Sequence, residues 1–462
     1  MSIGAHDPRP APAGALSAGI DLGSTGVKML VIDETGREIV GGQVATPWRV
    51  GPGGTTELDA ATLLEALAEL FAGVDTALAE VTDAPIQAVG IAGMGETGML
   101  VDAAGTAVAP GFAWFDPRGL EQVAAFPAEI HDEFAGRTGL PLGAQVTVAK
   151  LAHLRDAGLD LAGLRWLNLP EFVAAALGGD IADEYSLTSR TGLLDQDSGL
   201  AWPPMLDALG VTADILPELR GGGLPWGRIS DAHGPRLAGA ELTVAGHDHL
   251  VAAEAAGTLA ADGYHVSLGT AEVLLRVLDE PLGFEARGRL AAALINEVRH
   301  IVPGKHVLVA GVKTGLLLRR ALLASGVSDR AGRDEMDAAV LALPLEGALP
   351  AGAVEVSGAR NDDGVLRVTM HADGVTPAEV FAAVLRHSNE EIAALIRAMD
   401  REVAPATHAT LTGGWAGMAS VVRARAAVLP DLTASTREQE TAYGAALIAA
   451  QLVRRREPAP AA

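Results

Sequence analysis

Apolar residues fall into two rhythms along this chain. Residues 18–22 form a short apolar run, Gly23-Ser24-Thr25-Gly26 a turn, and residues 27–33 a second run, which predicts a β-hairpin. Between 59 and 78, Leu63, Leu64, Leu67, Leu70, Phe71, Val74 and Leu78 recur at helical spacing behind Asp59, a residue suited to capping. Strands are expected at 86–91 and 99–102. Farther on, the apolar run 242–245 ends in Gly246-His247-Asp248-His249. Thr376-Pro377-Ala378-Glu379 has the order of a capping box with proline at the first helical position, and Val380, Phe381, Val384 and Leu385 follow on one face. A short strand ends at Thr412, Gly413-Gly414 breaks it, a helix is expected from Trp415, and residues 443–453 form the last helix. Strands alternating with amphipathic helices predict an α/β fold.

One stretch repeats. Laid without gaps, residues 18–33 (AGIDLGSTGVKMLVID) fall on 264–279 (YHVSLGTAEVLLRVLD), pairing Leu22 with Leu268, Gly23 with Gly269, Val27 with Val273 and Asp33 with Asp279. Both read as strand, glycine turn, strand, so two domains of similar topology are expected, each opening with the same hairpin. The expected division is a loose tail over 1–17, a first domain over 18–255, a second over 256–453 and a tail over 454–462.

Composition narrows the classes. A chain of 462 residues is too long for a single core, and 49% hydrophobic against 20% charged residues exclude wholesale disorder. With 34 Lys+Arg against 58 Asp+Glu, the net charge of −24 argues against a partner such as duplex nucleic acid or an anionic membrane. The basic run Arg454-Arg455-Arg456 is too short to change that. The absence of cysteine removes disulfides, thiolate zinc sites and thiol nucleophiles, and fits a reducing compartment. Residues 1–17 lack the basic start and apolar run of a secretion signal, and no apolar stretch reaches the roughly 20 residues of a membrane span, so a cytoplasmic location is expected. Aromatics make up only 4% while Gly and Ala abound, which predicts helices packed closely on small side chains.

Several motifs could carry chemistry. Asp21 at a strand end precedes small hydroxyl and glycine residues whose amides and hydroxyls can hold phosphate oxygens, while Asp21 can hold Mg²⁺ directly or through water. An ordinary hairpin turn is the alternative. The echo places Gly269-Thr270 at the equivalent turn, so two facing hairpins could clamp one polyphosphate. The string from Gly93 to Gly98 matches GxGxxG, but a dinucleotide site needs the third glycine to open a helix, and here a strand follows. Within that loop Glu96 can bind sugar hydroxyls or be a solvated turn residue. His247-Asp248-His249 allows three readings: two ligands of a metal hydrolase, a general base at Asp248, or a polar cap on the next helix. Gly413-Gly414 lets a nucleotide approach the backbone near a helix start.

The order of these elements resembles the FGGY family of carbohydrate kinases, which includes xylulose, gluconate, ribulose and glycerol kinases. The resemblance rests on GIDLGSTGVK at 19–28, Trp114-Phe115-Asp116-Pro117-Arg118, Thr138-Gly139-Leu140-Pro141 with Lys150, Leu169-Pro170-Glu171-Phe172, DEYSLTSRTGLLD at 183–195, Gly246-His247-Asp248, Ser267-Leu268-Gly269-Thr270, Gly413-Gly414 and ETAYGAAL at 440–447. It implies two actin-like, ribonuclease-H-like domains with a cleft between them, and an ATP-dependent phosphotransferase acting on a primary hydroxyl. It further implies that Asp21 helps hold Mg²⁺ and that Ser24, Thr25 and Lys28 lie along the phosphates. Gly269 and Thr270 would meet the γ-phosphate, Gly311, Gly413 and Gly414 would line the adenosine side, and Asp248 matches the catalytic base.

On the acceptor side the chain departs from the best-known members. Glu96 stands where glycerol kinases have a polyol-binding glutamate, but Gly95 stands where they have an arginine, and Gln145 takes the place of their tyrosine. His249 replaces an Asn or Gln and is a candidate for a sugar oxygen, Ala271 replaces a Ser, and Met418 and Ala419 replace polar residues near the adenine. The expected acceptor is a ketopentose such as xylulose, with glycerol, another polyol or gluconate as alternatives, and a homodimer is common among such kinases. A metal hydrolase, a non-catalytic actin-like sensor of sugar or ATP, and a dinucleotide oxidoreductase are the readings from other classes.

Overall fold

A computed structural model describes residues 2–5, 14–258, 260–344, 352–360, 365, 367–435, 437 and 439–455. The first sheet contains β1 (Ser2–Ala5), β2 (Leu16–Leu22), β3 (Gly26–Ile32), β4 (Glu38–Ala45), β5 (Ile86–Gly93) and β6 (Glu241–His247), in the order β1-β4-β3-β2-β5-β6. Its β2, β3 and β4 form an antiparallel meander, and β5 and β6 continue it parallel to β2. The second sheet contains β7 (Gly263–Leu268), β8 (Glu272–Leu278), β9 (Ile295–Arg299), β10 (His306–Val312), β11 (His408–Thr412) and β12 (Leu432–Ala434), in the order β9-β10-β8-β7-β11-β12. Here β7, β8 and β10 are antiparallel neighbours with β9 on the outer edge, and β11 and β12 continue the sheet parallel to β7. The two sheets share the plan that the repeated hairpin predicts, and the fold is the two-domain actin-like one.

The strands of the repeat coincide at the expected offset, but the pairing slips. Leu22 faces Val27 across a turn of four residues, whereas Leu268 faces Glu272 across three. The second turn is therefore tighter, closed by Gly269 N–H on the Ala271 carbonyl at 2.9 Å, and Ala271 has no strict counterpart in the first.

Helix α1 (Ala60–Ala79) starts where the apolar period begins because Asp59 accepts the Thr62 N–H at 3.1 Å. All the expected apolar residues of its inner face are buried except Leu64, which is partly so. Between the strands of the first sheet run α2 (Leu169–Ala176) and the segments that carry much of the site. Gly98–Val101 forms a strand paired with Arg165–Asn168, so the third glycine of the GxGxxG string opens a strand and no dinucleotide turn forms. Helix α3 (Asp248–Ala255) follows β6 directly. In the second half, α4 (Thr314–Ala324) follows β10, and α5 (Pro377–Met399) has its capping box, with Thr376 N–H on Glu379 at 2.8 Å and Glu379 N–H on Thr376 at 3.3 Å.

Four expectations change. The segment 1–17 contributes β1 at the sheet edge and the first two residues of β2, while residues 6–13 lie outside the described residues. No helix starts at Trp415: residues 413–418 fold as successive turns, with Ala416 N–H on Gly413 and Met418 N–H on Trp415, and the helix begins at Ala419. The last helix, α6 (Glu440–Arg454), reaches one residue into the expected tail, and residues 456–462 lie outside the described residues. It also does not belong to the second domain alone, since it lies across β2 and β5 of the first sheet. It can approach that closely because Gly19 and Gly90 carry no side chain; a Cβ on either would stand 1.9 and 2.2 Å from the carbonyl oxygens of Ala442 and Ala445. This close backbone contact is what the small-residue composition predicts.

Candidate active site

The first hairpin presents Asp21 one residue before the end of β2, opposite Lys28 in register, with Nζ 3.6 Å from its carboxylate. Burial pushes the Asp21 carboxyl up to about 6, opposed by Lys28 and reinforced by the negative charge of Asp248. The turn itself is held from outside: the Thr46 hydroxyl donates to the Gly23 carbonyl at 2.6 Å and the Trp48 indole to the Ser24 carbonyl at 2.7 Å. Thr25 is exposed at the tip.

Glu96 follows β5 in a left-handed conformation, φ 60°, uncommon for a residue with a side chain. The Thr147 hydroxyl donates to its carbonyl at 3.3 Å, and Arg190 Nη2 lies 2.5 Å from its carboxylate. Burial raises the Glu96 carboxyl and Arg190 lowers it, while Asp248 and His249 also act on it, so these groups share one site. Gln145 lies two residues before Thr147, but its amide donates to the Pro141 carbonyl of its own loop at 3.4 Å.

Asp248 is the first residue of α3, where the helix amides favour an anion. Its Oδ1 accepts the His249 N–H at 2.7 Å and lies 3.4 Å from His247 Nδ1 and 3.9 Å from His249 Nε2. Burial would raise this carboxyl, but both histidines and the His249 amide more than offset it and hold it below the ordinary range. The buried His247 ring is pushed down to about 3 and is uncharged at neutral pH. Its backbone N–H donates to the Ser186 hydroxyl at 3.1 Å, which donates to Glu184 at 2.5 Å, so a buried carboxyl group backs the strand end. Among the described residues no three His, Cys, Asp or Glu side chains gather as a metal site. His247 and His249 thus lack the further ligands that a metal hydrolase requires.

On the second sheet, Gly269, Thr270 and Gly414 line one cavity of about 430 Å³. Its other walls include Gly315, Leu316 and Arg319 of α4, together with Ser328, Arg333 and Trp415; the Arg333 guanidinium lies 4.9 Å over the Trp415 ring. Gly413 adjoins it at φ 90°, while Gly311 sits in β10 with open space above its Cα and is not among the lining residues. Glu272, the first residue of β8, is fully buried against Arg425, at 2.5 and 2.6 Å, which ties the second turn to the helix after Gly414. Another cavity, of about 290 Å³ and mostly apolar, lies beside α1 and contains none of these residues.

Sequence reasoning assigned no role to Arg190, Arg319, Arg333, Trp415 or Trp48. The signal for Arg190 was a lone cation inside the hydroxyl-rich 183–195 run, and for Trp48 the scarcity of aromatics. The exposed Phe115 ring meets Trp48 edge-on beside the first turn at 6.2 Å, and the exposed Trp114 meets Phe115 edge-on at 5.3 Å. Buried Lys150 holds their loop, donating to the carbonyls of Asp116 and Arg118.

Comparison with known proteins adds an independent line. A family model described as the FGGY family of carbohydrate kinases, N-terminal domain, matches residues 16–253. A glycerol kinase of Thermococcus gammatolerans is 28% identical over 239 residues, covering 49% of this chain and 46% of that protein. A gluconokinase of Bacillus subtilis is 22% identical over 306 residues, covering 62% and 56%. The chain therefore spans about half the length of the curated relatives it matches. In overall shape it is similar to the crystal structure of a xylulose kinase from Brucella ovis, with a TM-score of 0.79 at 20% identity over 94% of this chain and 90% of that one.

Proposed function

The chain belongs to the FGGY family of carbohydrate kinases, and from that premise we propose that it transfers the γ-phosphate of ATP to a primary hydroxyl of a small sugar or polyol, such as xylulose or glycerol. The observation that carries the reading is the meeting of Asp21, Glu96 and Asp248 at the ends of β2, β5 and β6, with the Thr270–Gly414 cavity at the corresponding turn of the second sheet.

Asp248, kept ionised against its burial by the histidines and the backbone amide around it, takes the proton of the acceptor hydroxyl as that oxygen bonds to the γ-phosphorus and the bond to ADP breaks. Glu96 and His249 orient other hydroxyls of the acceptor, and the exposed ring of Trp114 offers a face on which a sugar can lie. Ser24, Thr25 and Lys28 hold the phosphates from one turn, Gly269 and Thr270 from the other, and the nucleoside lies toward Gly414 and Trp415. Closure of the two domains keeps water from competing as the acceptor. The donors also fit a divalent cation: Asp21 is a buried carboxylate with one cationic neighbour, and an oxygen ligand combined with phosphates and water suits Mg²⁺. When bound, Mg²⁺ neutralises phosphate charge, and Asp21 would hold it directly or through water.

Asp248→Asn is the direct test. Turnover of the best acceptor should fall by roughly 10²–10⁴-fold while ATP still binds, measured by coupled ADP release and by calorimetry. Undiminished turnover would remove Asp248 as the base. ATP binding or hydrolysis by the unaltered protein without any phosphorylated sugar, across pentuloses, hexuloses, glycerol, tetritols and gluconate, would favour a sensor instead.

A further inference from the structure

Arg190 is a buried cation that the reaction above does not use. Its residue exposure is 8%, and its guanidinium reaches Glu96 through Nη2 alone. Nε and Nη1 are buried without hydrogen-bond partners among the described residues. Two unsatisfied N–H groups on a buried charge cost stability, and an apolar side chain would fill the same space more favourably. Such a cost at the wall of a site points to function, because folding gains nothing from it.

Gly95 provides the room. A Cβ there would stand 2.8 Å from Arg190 Cδ, 2.9 Å from its Nε and 3.1 Å from the His247 ring. Arg190 thus lies over the bare face of the residue before Glu96, beside the strand end that carries Asp248. The fixed charges of this group are one guanidinium and two carboxylates, Glu96 and Asp248. The other cation nearby, Lys28, is set on Asp21 at 3.6 Å. His247 is uncharged at neutral pH, and His249 stands 3.9 Å from Asp248. A negatively charged acceptor would meet two carboxylates against one guanidinium whose charge is shared with Glu96.

We infer that Arg190 is a positioning residue of the acceptor site, which fills the slot over Gly95 and holds the Glu96 carboxylate in place, and that with two carboxylates against this one guanidinium the acceptor is a neutral polyhydroxy compound. The inference rests on the kinase reading and adds to it the class of substrate. Losing Arg190 frees Glu96 to turn away from the acceptor, and a misplacement of about 1 Å costs on the order of 100-fold.

The test compares the unaltered full chain with Arg190→Met, Arg190→Lys and Gly95→Ala, using ADP release at saturating ATP with xylulose, glycerol and gluconate. The unaltered protein should use a neutral acceptor in preference to gluconate. Arg190→Met should raise the acceptor KM or lower its kcat/KM by on the order of 100-fold with the ATP KM unchanged, and Arg190→Lys should recover part of the loss. Should Arg190→Met fail to fold, Gly95→Ala, which pushes the guanidinium aside, should show the same split. Preference for gluconate would overturn the substrate class, and unchanged acceptor kinetics in folded Arg190→Met or Gly95→Ala would overturn the role of Arg190. Absence of turnover with every acceptor would instead bring down the kinase reading on which both depend.

Discussion

Replacing Gly315 with alanine probes the second phosphate turn without touching a charged group. Gly315 is the second residue of α4, and a Cβ on it would lie 1.8 Å from the carbonyl oxygen of Gly269 and 2.9 Å from that of Thr270. Cβ contacts under 3.0 Å do not persist, so one backbone must yield by about 1.2 Å. The helix is the fixed partner: Leu317, Leu318, Ala321 and Leu322 anchor it in the second core. The turn is the free one, since Gly269 has nothing but the Ala271 oxygen within 4.0 Å of its own Cβ position. Displacing Thr270 by that distance should lower kcat/KM for ATP on the order of 100-fold, and the overpacking should cost about 1–3 kcal/mol of stability. The assay is coupled ADP release with ATP varied at a saturating acceptor, paired with a thermal melt. Gly288→Ala, inside a helix where the same atom meets nothing within 4 Å, is the control: it should leave the ATP kinetics unchanged and, by helix propensity, raise stability by about 0.5–1 kcal/mol. Normal ATP kinetics in Gly315→Ala would show that the 269–271 turn does not hold the transferring phosphate.

Two further predictions concern the buried charges behind the site. Arg425→Met leaves Glu272 ionised in the core with its two strongest donors gone, which should cost about 3–5 kcal/mol by denaturant unfolding; the double variant with Glu272→Leu should regain much of it, and no recovery would mean that the pair is not the cause. Glu184 is pushed up to about 8 by burial, from an ordinary 4.5. The folded chain therefore retains a proton that the unfolded chain releases, and stability contributed by the neutral carboxyl is lost as pH rises from about 4.5 through about 8. Glu184→Gln should reduce the fall in melting temperature between pH 5 and 8.5, leaving the part due to the other carboxyls that burial raises, Asp183, Glu171 (to about 7) and Asp21 (to about 6); identical pH profiles for both proteins would refute the assignment.

What the sequence made legible is what depends on neighbours in the chain. Both hairpins, the Asp59 cap, the Thr376 capping box and the strand leading into Asp248 were readable because apolar period, turn residues and caps act over a few positions. The repeated hairpin implied two domains of similar topology, each opening with the same turn, and both sheets open that way. The slip in the second turn was not readable: a gap-free match of side-chain types does not count the residues that close a loop. Nor was the path of α6, whose apolar face could cover either sheet; only the bare faces of Gly19 and Gly90 select the first. Arg190 escaped for the same reason, since the empty place over Gly95 is created by folding. Gln145 was placed near the site by the sequence, but that its amide nitrogen donates to its own loop was not readable there.

The acidic balance of the chain gives the site its character. With a net charge of −24, the protein as a whole repels ATP, so long-range steering cannot gather the nucleotide. Screening confines that repulsion to roughly 8 Å at physiological salt, and within that distance the local donors decide. The cavity wall supplies Arg319 and Arg333, while two carboxylates of the second half are already committed, Glu272 to Arg425 and Asp337 to the amides of Ala419 and Ser420. On the acceptor side the balance is reversed, with Glu96, Asp248 and Asp21 outnumbering Arg190 and Lys28. Under the proposed reading the arginines of the cavity wall favour the anionic nucleotide and the excess of carboxylates on the other side favours an uncharged acceptor, while Lys28 and a cation on Asp21 are what allow the transferring phosphate to come up beside Asp248.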